Sequence, residues 1–149
     1  MTLERRAGMI PYYVNPNGRI EFLLMVPINP KLSARPQIAK GGIDDNEDYF
    51  KAARREAKEE LGLRKKNMKR TPLHLGLWDT TEIFIVEVID KENFKPIDTK
   101  EVKKTVWMTI EEFREAGRKS QRAVLELAFI IAKRINEIEQ QLHDTSNAN

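Results

Sequence analysis

Residues 41–63 of the chain are GGIDDNEDYFKAARREAKEELGL, an acidic loop followed by a run with helical periodicity. The pattern predicts a helix over residues 45–61. Asp45 is the predicted N-cap, because its carboxylate can accept a backbone hydrogen bond from the first turn. Gly62 is predicted to end the helix in the left-handed conformation that favours glycine.

The side chains of this helix separate into three faces on a helical wheel. The predicted apolar face comprises Tyr49, Phe50, Ala53, Ala57 and Leu61. Basic residues lie roughly opposite, and Glu56, Glu59 and Glu60 share the arc between the two. Like charges at these spacings destabilise an isolated helix by about 0.2–0.5 kcal/mol per pair, so something should compensate them.

Two kinds of compensation are open. Arg55 can pair with Glu59 at i,i+4. A cation bound to the three carboxylates would compensate more, and oxygen ligands of this kind suit Mg²⁺ or Mn²⁺. A solvated glutamate-rich surface is the alternative interpretation, but the Gly41-Gly42 turn just upstream lets the backbone approach an ion closely.

The spacing of the fixed residues resembles the Nudix box. The matching residues are Gly41, Glu47, Arg55, Glu56, Ala57, Glu59, Glu60, Gly62 and Leu63. By this resemblance the chain is similar to the Nudix hydrolase family. The family implies an α/β fold, a Nudix-type α/β/α sandwich with a mixed β-sheet, formed by residues 1–149 as a single domain. It also implies metal-dependent cleavage of a nucleoside diphosphate linked to another group X.

The resemblance assigns a role to each acid of the box. It implies that Mg²⁺ or Mn²⁺ binds to Glu56, Glu59, Glu60 and the backbone carbonyl of Lys40. Arg55 is implied to orient Glu59, which is also a candidate general base. Glu47 is implied to support the geometry between the loop and the helix.

A further acid is expected from a later loop. Many members of the family carry it six residues before a tryptophan that begins a strand, and Glu101 has that position relative to Trp107. Glu101 is therefore a candidate ligand or general base, with Asp98 and Glu92 as alternatives in the same loop. One departure is Ala39, which stands where many members have proline, and it leaves the conformation of that loop open.

The substrate is less well defined. Tyr12 and Trp78 are candidates to stack on a base, and Arg19 and Arg35 are candidates to bind phosphates. Each has a structural alternative, because strand aromatics often belong to the core and arginines often lie on the surface.

Three substrate or ligand classes remain open. Small-molecule nucleotides, such as dinucleoside polyphosphates or ADP-ribose-like compounds, are the first. The RNA 5′ end is the second, supported by the basic residues of segment 64–70. The third is a non-catalytic module that binds a nucleotide, although a pure binder has no need for every acid of the box.

Composition narrows the chemistry. The 149 residues include no cysteine and two histidines, which excludes thiol nucleophiles, cysteine-ligated zinc and H-E-x-x-H sites. The net charge of +3 is too small to indicate nucleic acid by itself. No apolar run reaches the ~18 residues of a membrane span, so no membrane partner is expected, and a cytoplasmic location is predicted.

The remaining elements frame this helix. Residues 9–14 and 19–26 predict a hairpin, and segments 73–77, 81–89 and 105–108 predict further strands. A final helix is predicted at about residues 120–142, followed by a polar, frayed tail over residues 144–149. The wide apolar face of that helix leaves two alternatives open, packing on its own sheet alone or formation of a homodimer.

Overall fold

In the described part of the chain, three strands precede the first α-helix, three strands follow it, and two further α-helices come after the last strand. The computed structural model describes residues 4–29 and 34–147. The strands in this part of the chain are β1 (Arg6–Val14), β2 (Ile20–Pro27), β3 (Ala39–Gly42), β4 (Leu73–Trp78), β5 (Thr81–Glu87) and β6 (Val102–Met108). Its helices are α1 (Tyr49–Leu61), α2 (Ile110–Ala116) and α3 (Arg122–Asn147).

The described strands form one mixed sheet in the order β4-β5-β1-β2-β6, with β3 paired to β1. β1 and β5 are parallel, whereas the other pairings are antiparallel. The predicted hairpin of β1 and β2 is confirmed, and the Asn15 carboxamide closes its turn by accepting the N–H of Arg19 at 2.9 Å. The predicted mixed sheet is therefore confirmed.

Helices cover both faces of this sheet. On one face, the small side chains of α1 (Ala52, Ala53 and Ala57) pack with Met9 and Phe84. The opposite face packs against α2 and α3 through a second core cluster. Residues of a strand alternate between faces, so β1 contributes to both clusters. This arrangement confirms the predicted α/β/α sandwich.

The region before α1 differs from the prediction. The helix begins at Tyr49 and its N-cap is Asp48, whose carboxylate accepts the N–H of Lys51 at 2.7 Å, so the predicted cap at Asp45 is wrong. β3 was not predicted from its sequence, Ala-Lys-Gly-Gly, which lacks β-branched residues. It forms because β1 offers it a pairing edge, with Gly8 opposite Lys40.

The C-terminal helix also has other bounds than predicted. α3 runs from Arg122 to Asn147, so its predicted end at residue 142 is too early. Residues 144–147 of the predicted frayed tail continue the helix, because no glycine or proline stops it there. Residues 148 and 149 lie outside the described residues. None of the helices in the described ranges is long and apolar enough to cross a membrane.

Candidate active site

α1 is held at its C-terminal end by a position that only glycine tolerates. Gly62 has a φ of 73°, and its N–H donates to the Lys58 carbonyl at 3.0 Å. A Cβ at this residue would collide with the backbone carbonyl of Lys95. The predicted left-handed cap is confirmed, and it sets the acidic face of α1 against the loop over residues 91–101.

Arg55 connects the loop before α1 to the acids of the helix. Its Nε and Nη2 donate to the two carboxylate oxygens of Glu47 at 2.9 and 3.0 Å, and Nη2 also donates to the Gly42 carbonyl at 2.9 Å. Its Nη1 donates to Glu56 Oε1 at 2.9 Å and lies 3.5 Å from Glu59 Oε2. Hydrogen bonds to Arg55 hold the pKa of Glu47 below its usual value. This network fixes the loop and two of the acids in one arrangement.

Glu56 and Glu60 are the most enclosed acids of α1. Glu60 is 6% exposed and accepts the N–H of Lys40 at 3.0 Å. A Cβ at Gly41 would overlap the Glu56 carboxylate, so a side chain at this residue would displace the Glu56 carboxylate from its present position. The side chain of Glu59 is 42% exposed. The backbone of β3 and the carboxylates of α1 therefore face one another directly.

Burial makes the ionised form of these acids costly. Burial, and after it the charge of Glu56, raises the pKa of Glu60 to about 8, while the bond from Lys40 opposes the shift. Burial likewise raises the pKa of Glu56, although Arg55 opposes this shift. The charge of Glu101 acts on both acids in the raising direction, so it lies near enough to repel them. The three carboxylates form a crowded anionic site.

The loop before β6 brings Glu101 to this site. The N–H of Asp98 donates to the Glu59 carbonyl at 2.8 Å, which attaches the loop to α1. The Asp98 carboxylate then accepts the N–H of Glu101 at 3.1 Å, as in an Asx turn. Ile28 N–H donates to the Glu101 carbonyl at 2.9 Å. One oxygen of the Asp98 carboxylate is therefore engaged by the backbone, and the role of Glu101 as a ligand or general base stays a prediction.

The donor set fits a divalent cation. Within residues 4–29 and 34–147, no three acidic or histidine side chains converge into a ready-made metal cage. Mg²⁺ does not need one, because it usually keeps several waters and takes only one or two protein carboxylates together with substrate phosphates. Glu60 is buried and Glu56 is half-buried, and the charge of Glu56 repels that of Glu60. A cation would remove that repulsion.

A cavity of about 450 Å³ opens beside these acids. Its charged lining residues are Glu60, Glu101, Arg6, Lys40, Lys100 and Arg118. Burial, followed by the charges of Arg6 and Arg118, lowers the pKa of Lys40. Arg118 Nη1 donates to the Gln37 carboxamide at 3.0 Å. The anionic site therefore borders a strongly cationic one.

The two aromatic candidates have different surroundings. Tyr12 is 2% exposed in the core on the α2–α3 face, so its ring offers no surface to a base, which corrects its predicted role. Trp78 is half-buried against the same core. It pairs with Thr81 of β5, which pairs with Arg6 of β1, so Trp78 lies at the same end of the sheet as Arg6 but outside the cavity lining. Its contact with a base remains a prediction.

The two arginine candidates are not brought together with the acids. Arg19 follows the far end of β1, roughly 20 Å of strand from the Gly8–Lys40 pair. Arg19 therefore lies apart from the acids, and its contact with a phosphate remains a prediction. The side chain of Arg35 reaches the Glu115 carbonyl at 3.4 Å, at the end of α2. Arg35 does not belong to the cavity lining, although Gln37 two residues later does.

Sequence reasoning missed Arg6, Gln37 and Arg118. Arg6 and Arg118 are more than 100 residues apart in the chain. They meet only because β1 pairs with β3 and the link between α2 and α3 returns to the same edge, where Arg118 N–H donates to the Pro36 carbonyl at 2.9 Å. The only local signal was Gly117-Arg118, which lies just before the predicted final helix.

Comparison with known proteins agrees with this arrangement. A family model, the NUDIX domain, matches residues 4–128 of the 149. Among curated proteins, none matches the chain.

Solved structures share the fold. An Ap4A hydrolase of C. elegans, solved as a binary complex, is similar over 86% of this chain and 98% of its own, with 22% identity and a TM-score of 0.67. The Nudix hydrolase RenU of M. smegmatis is similar over 87% and 86% of the two chains, with 18% identity and a TM-score of 0.67. A mutT/nudix family protein of Listeria innocua is similar over 93% and 99%, with 17% identity and a TM-score of 0.69.

Proposed function

Since the chain belongs to the Nudix hydrolase family and is a hydrolase of pyrophosphate bonds, we propose that it cleaves a nucleoside diphosphate linked to another group. Its products are a nucleotide and a phosphorylated X. The observation that supports this proposal is the convergence of Glu56, Glu60 and Glu101 beside a cationic cavity. Because the chain is a hydrolase with every acid of the box in place, the alternative of a non-catalytic module is not retained.

Glu56 and Glu60 are the main residues that would hold Mg²⁺ or Mn²⁺, together with the Lys40 carbonyl, and Glu59 is a further candidate ligand. A divalent ion there supplies charge neutralisation on phosphoryl oxygens and lowers the pKa of water. Arg55 keeps Glu56 and Glu59 in place, because its guanidinium donates to both while Glu47 and Gly42 anchor it. A correct arrangement before the substrate arrives avoids reorganisation during the reaction.

The chain's acids also have to accept a proton. In the proposed reaction, the oxygen of a water forms a bond to one phosphorus, and the bond from that phosphorus to the bridging oxygen breaks. The proton of the water passes to a carboxylate oxygen of Glu101 or Glu59, the two acids that neither bond to Lys40 nor lie against Gly41. The displaced phosphate leaves with the bridging oxygen, so both products are phosphorylated.

Dinucleoside polyphosphates are the preferred substrate class in this proposal, ahead of ADP-ribose-like compounds. The C. elegans protein that shares this fold is an Ap4A hydrolase, and this similarity supports the preference for dinucleoside polyphosphates. A polyphosphate bridge also suits a cavity with four cationic lining residues, Arg6, Lys40, Lys100 and Arg118. The cytoplasmic location and the homodimer remain predictions.

A product assay tests the proposal. Diadenosine polyphosphates, ADP-ribose, nucleoside triphosphates and triphosphorylated RNA are each incubated with Mg²⁺, with and without EDTA, in ¹⁸O-enriched water. We expect cleavage of one nucleotide class only with metal, and mass spectrometry to show the ¹⁸O on a single product phosphate. Absence of metal-dependent turnover across the panel would overturn the proposal.

The RNA 5′ end is the second candidate, and one observation favours it. Lys51, Arg54, Lys58, Arg64 and Lys65 line a shallow basic surface along the outer side of α1. Lys69 and Arg70 contribute less than the sequence predicts, because they pair with Glu87 and Glu139.

The salt dependence of the activity distinguishes an RNA substrate from a small nucleotide. Activity on triphosphorylated RNA that falls steeply with salt, and falls again in Lys58→Gln, is the expected result for an RNA substrate. Activity that is insensitive to both changes would exclude the basic surface as an RNA contact.

A further inference from the structure

The cavity beside Glu60 contains more positive charge than its own acids balance. Arg6, Lys40, Lys100 and Arg118 line it, against Glu60 and Glu101. None of the ion pairs found in the described part of the chain includes any of these four cations. Such a concentration of unpaired cations is unfavourable in the free protein and attracts anions.

The two arginines are the best placed of the four to bind a ligand. The Nε of Arg6 is buried and has no hydrogen-bond partner, which is rare for a buried polar atom. Arg118 donates only to a neutral partner among the described side chains, the Gln37 carboxamide at 3.0 Å. Phosphate oxygens in the cavity would accept charge-assisted hydrogen bonds from both guanidinium groups, neither of which has an acidic partner among the described residues.

The cavity is continuous with the carboxylate site. Glu60 and Glu101 belong both to the acidic cluster and to the cavity wall. A phosphate chain that is cleaved beside these acids therefore extends into the cavity. A bridge of two phosphates would lie mainly where these acids would hold a cation, whereas each added phosphate places a further negative charge near Arg6 and Arg118.

We propose that Arg6 and Arg118 bind the phosphates that lie beyond the cleaved bond, and that the preferred substrate is a nucleotide with a bridge of more than two phosphates. This inference rests on the proposed function and names its substrate class. It makes Arg6 and Arg118 residues that select the length of the phosphate chain.

Binding of inorganic tripolyphosphate in EDTA tests the cavity without catalysis. The proteins compared by titration calorimetry are wild type, Arg118→Gln and a matched control, Arg122→Gln, which removes the same charge from an exposed position at the start of α3. We expect Arg118→Gln to weaken binding about tenfold, which corresponds to about 1.4 kcal/mol, and the control to remain within about twofold. Equal affinities of Arg118→Gln and wild type, or no binding by wild type, would overturn the inference.

Kinetics distinguish a failure of this inference from a failure of the proposed function. For diadenosine tetraphosphate with Mg²⁺, we expect Arg118→Gln to raise KM about tenfold with kcat nearly unchanged. Hydrolysis by wild type with an unaltered KM in the variant would refute the inference and leave the function standing. Absence of hydrolysis by wild type would refute the proposed function. The tripolyphosphate titration would then still test whether Arg118 binds phosphates in the cavity. Arg6→Gln repeats both measurements if Arg118→Gln does not fold.

Discussion

Arg55 and Arg118 both border the carboxylates of α1, but their charges are satisfied in different ways. Arg55 donates to Glu47, Glu56 and a backbone carbonyl at 2.9–3.0 Å. Arg118 donates to the neutral carboxamide of Gln37 and forms none of the ion pairs found among the described residues. The first arginine is part of the frame that positions the acids. The second has binding capacity left for a ligand.

The difference in partners separates an arginine that positions the catalytic acids from one that can bind substrate phosphates. Paired charges rigidify the loop and the helix before substrate arrives, so their loss should lower kcat and stability together. Unpaired charges contribute little to the free protein, so their loss should change affinity for anions. Four predictions, made on three variants, test this distinction.

The largest effect is expected for Glu60→Gln. The amide keeps the shape of the side chain but removes the negative charge that would hold a cation. Because charge stabilisation of this kind contributes several kcal/mol, we expect kcat to fall by about three orders of magnitude. Steady-state kinetics on the best nucleotide of the panel measure it, with circular dichroism to show an intact fold. Glu137→Gln on the exposed side of α3 is the matched control, and full activity of Glu60→Gln would exclude this helix as the catalytic site.

The next effect is expected for Arg55→Lys. Lysine keeps the charge but cannot form the forked bonds to Glu47 and reach Glu56 at once. We expect kcat to fall about 10–100-fold, as for other groups that orient ligands, and Tm to fall by about 5 °C. Arg54→Lys is the control, because Arg54 lies over the ring of Phe50 on the basic face. A variant that loses neither stability nor kcat would show that the frame is not needed.

A third prediction concerns pH in the metal-free protein. The pKa of Glu60 is about 8 in the folded chain against an ordinary value of 4.5. The folded state therefore holds this proton more tightly than the unfolded state does, and stability falls as pH rises from about 4.5 to about 8. In EDTA, we expect the Tm of wild type relative to Glu60→Gln to drop by about 5 °C or more between pH 5.5 and 8. The same difference in Tm between wild type and Glu60→Gln at both pH values would contradict the raised pKa of Glu60.

The hydrogen-bond network around Arg55 was largely predictable from the sequence, because its contacts are local. Glu47, Arg55, Glu56 and Glu60 lie within one loop and one helix, so their spacing encodes their mutual geometry. Gly62 was predictable as a left-handed C-cap, because it directly follows a run with helical periodicity. The helix start was less certain, because residues 44, 45 and 48 are all aspartates and only the three-dimensional loop selects Asp48 as the cap.

The cationic cavity was not predictable for the opposite reason. Arg6 and Arg118 belong to separate elements, and the edge where they meet includes β3, a strand that exists only because β1 offers a pairing partner. Tyr12 illustrates the same limit. Its strand was predicted, but which face of the sheet it occupies depends on the helices that cover that face.

The smallest effect, and the sharpest contrast with Arg55→Lys, is expected for the Tm of Arg118→Gln. In the free protein, loss of the bond to Gln37 is offset by relief of repulsion from Lys40, so we expect the Tm to change by less than about 2 °C. Tripolyphosphate should raise the Tm of wild type more than that of the variant, because stabilisation by a ligand grows with the ratio of its concentration to Kd. Differential scanning calorimetry with and without the anion measures both quantities. A free variant destabilised as much as Arg55→Lys would mean that Arg118 belongs to the frame and not to recognition.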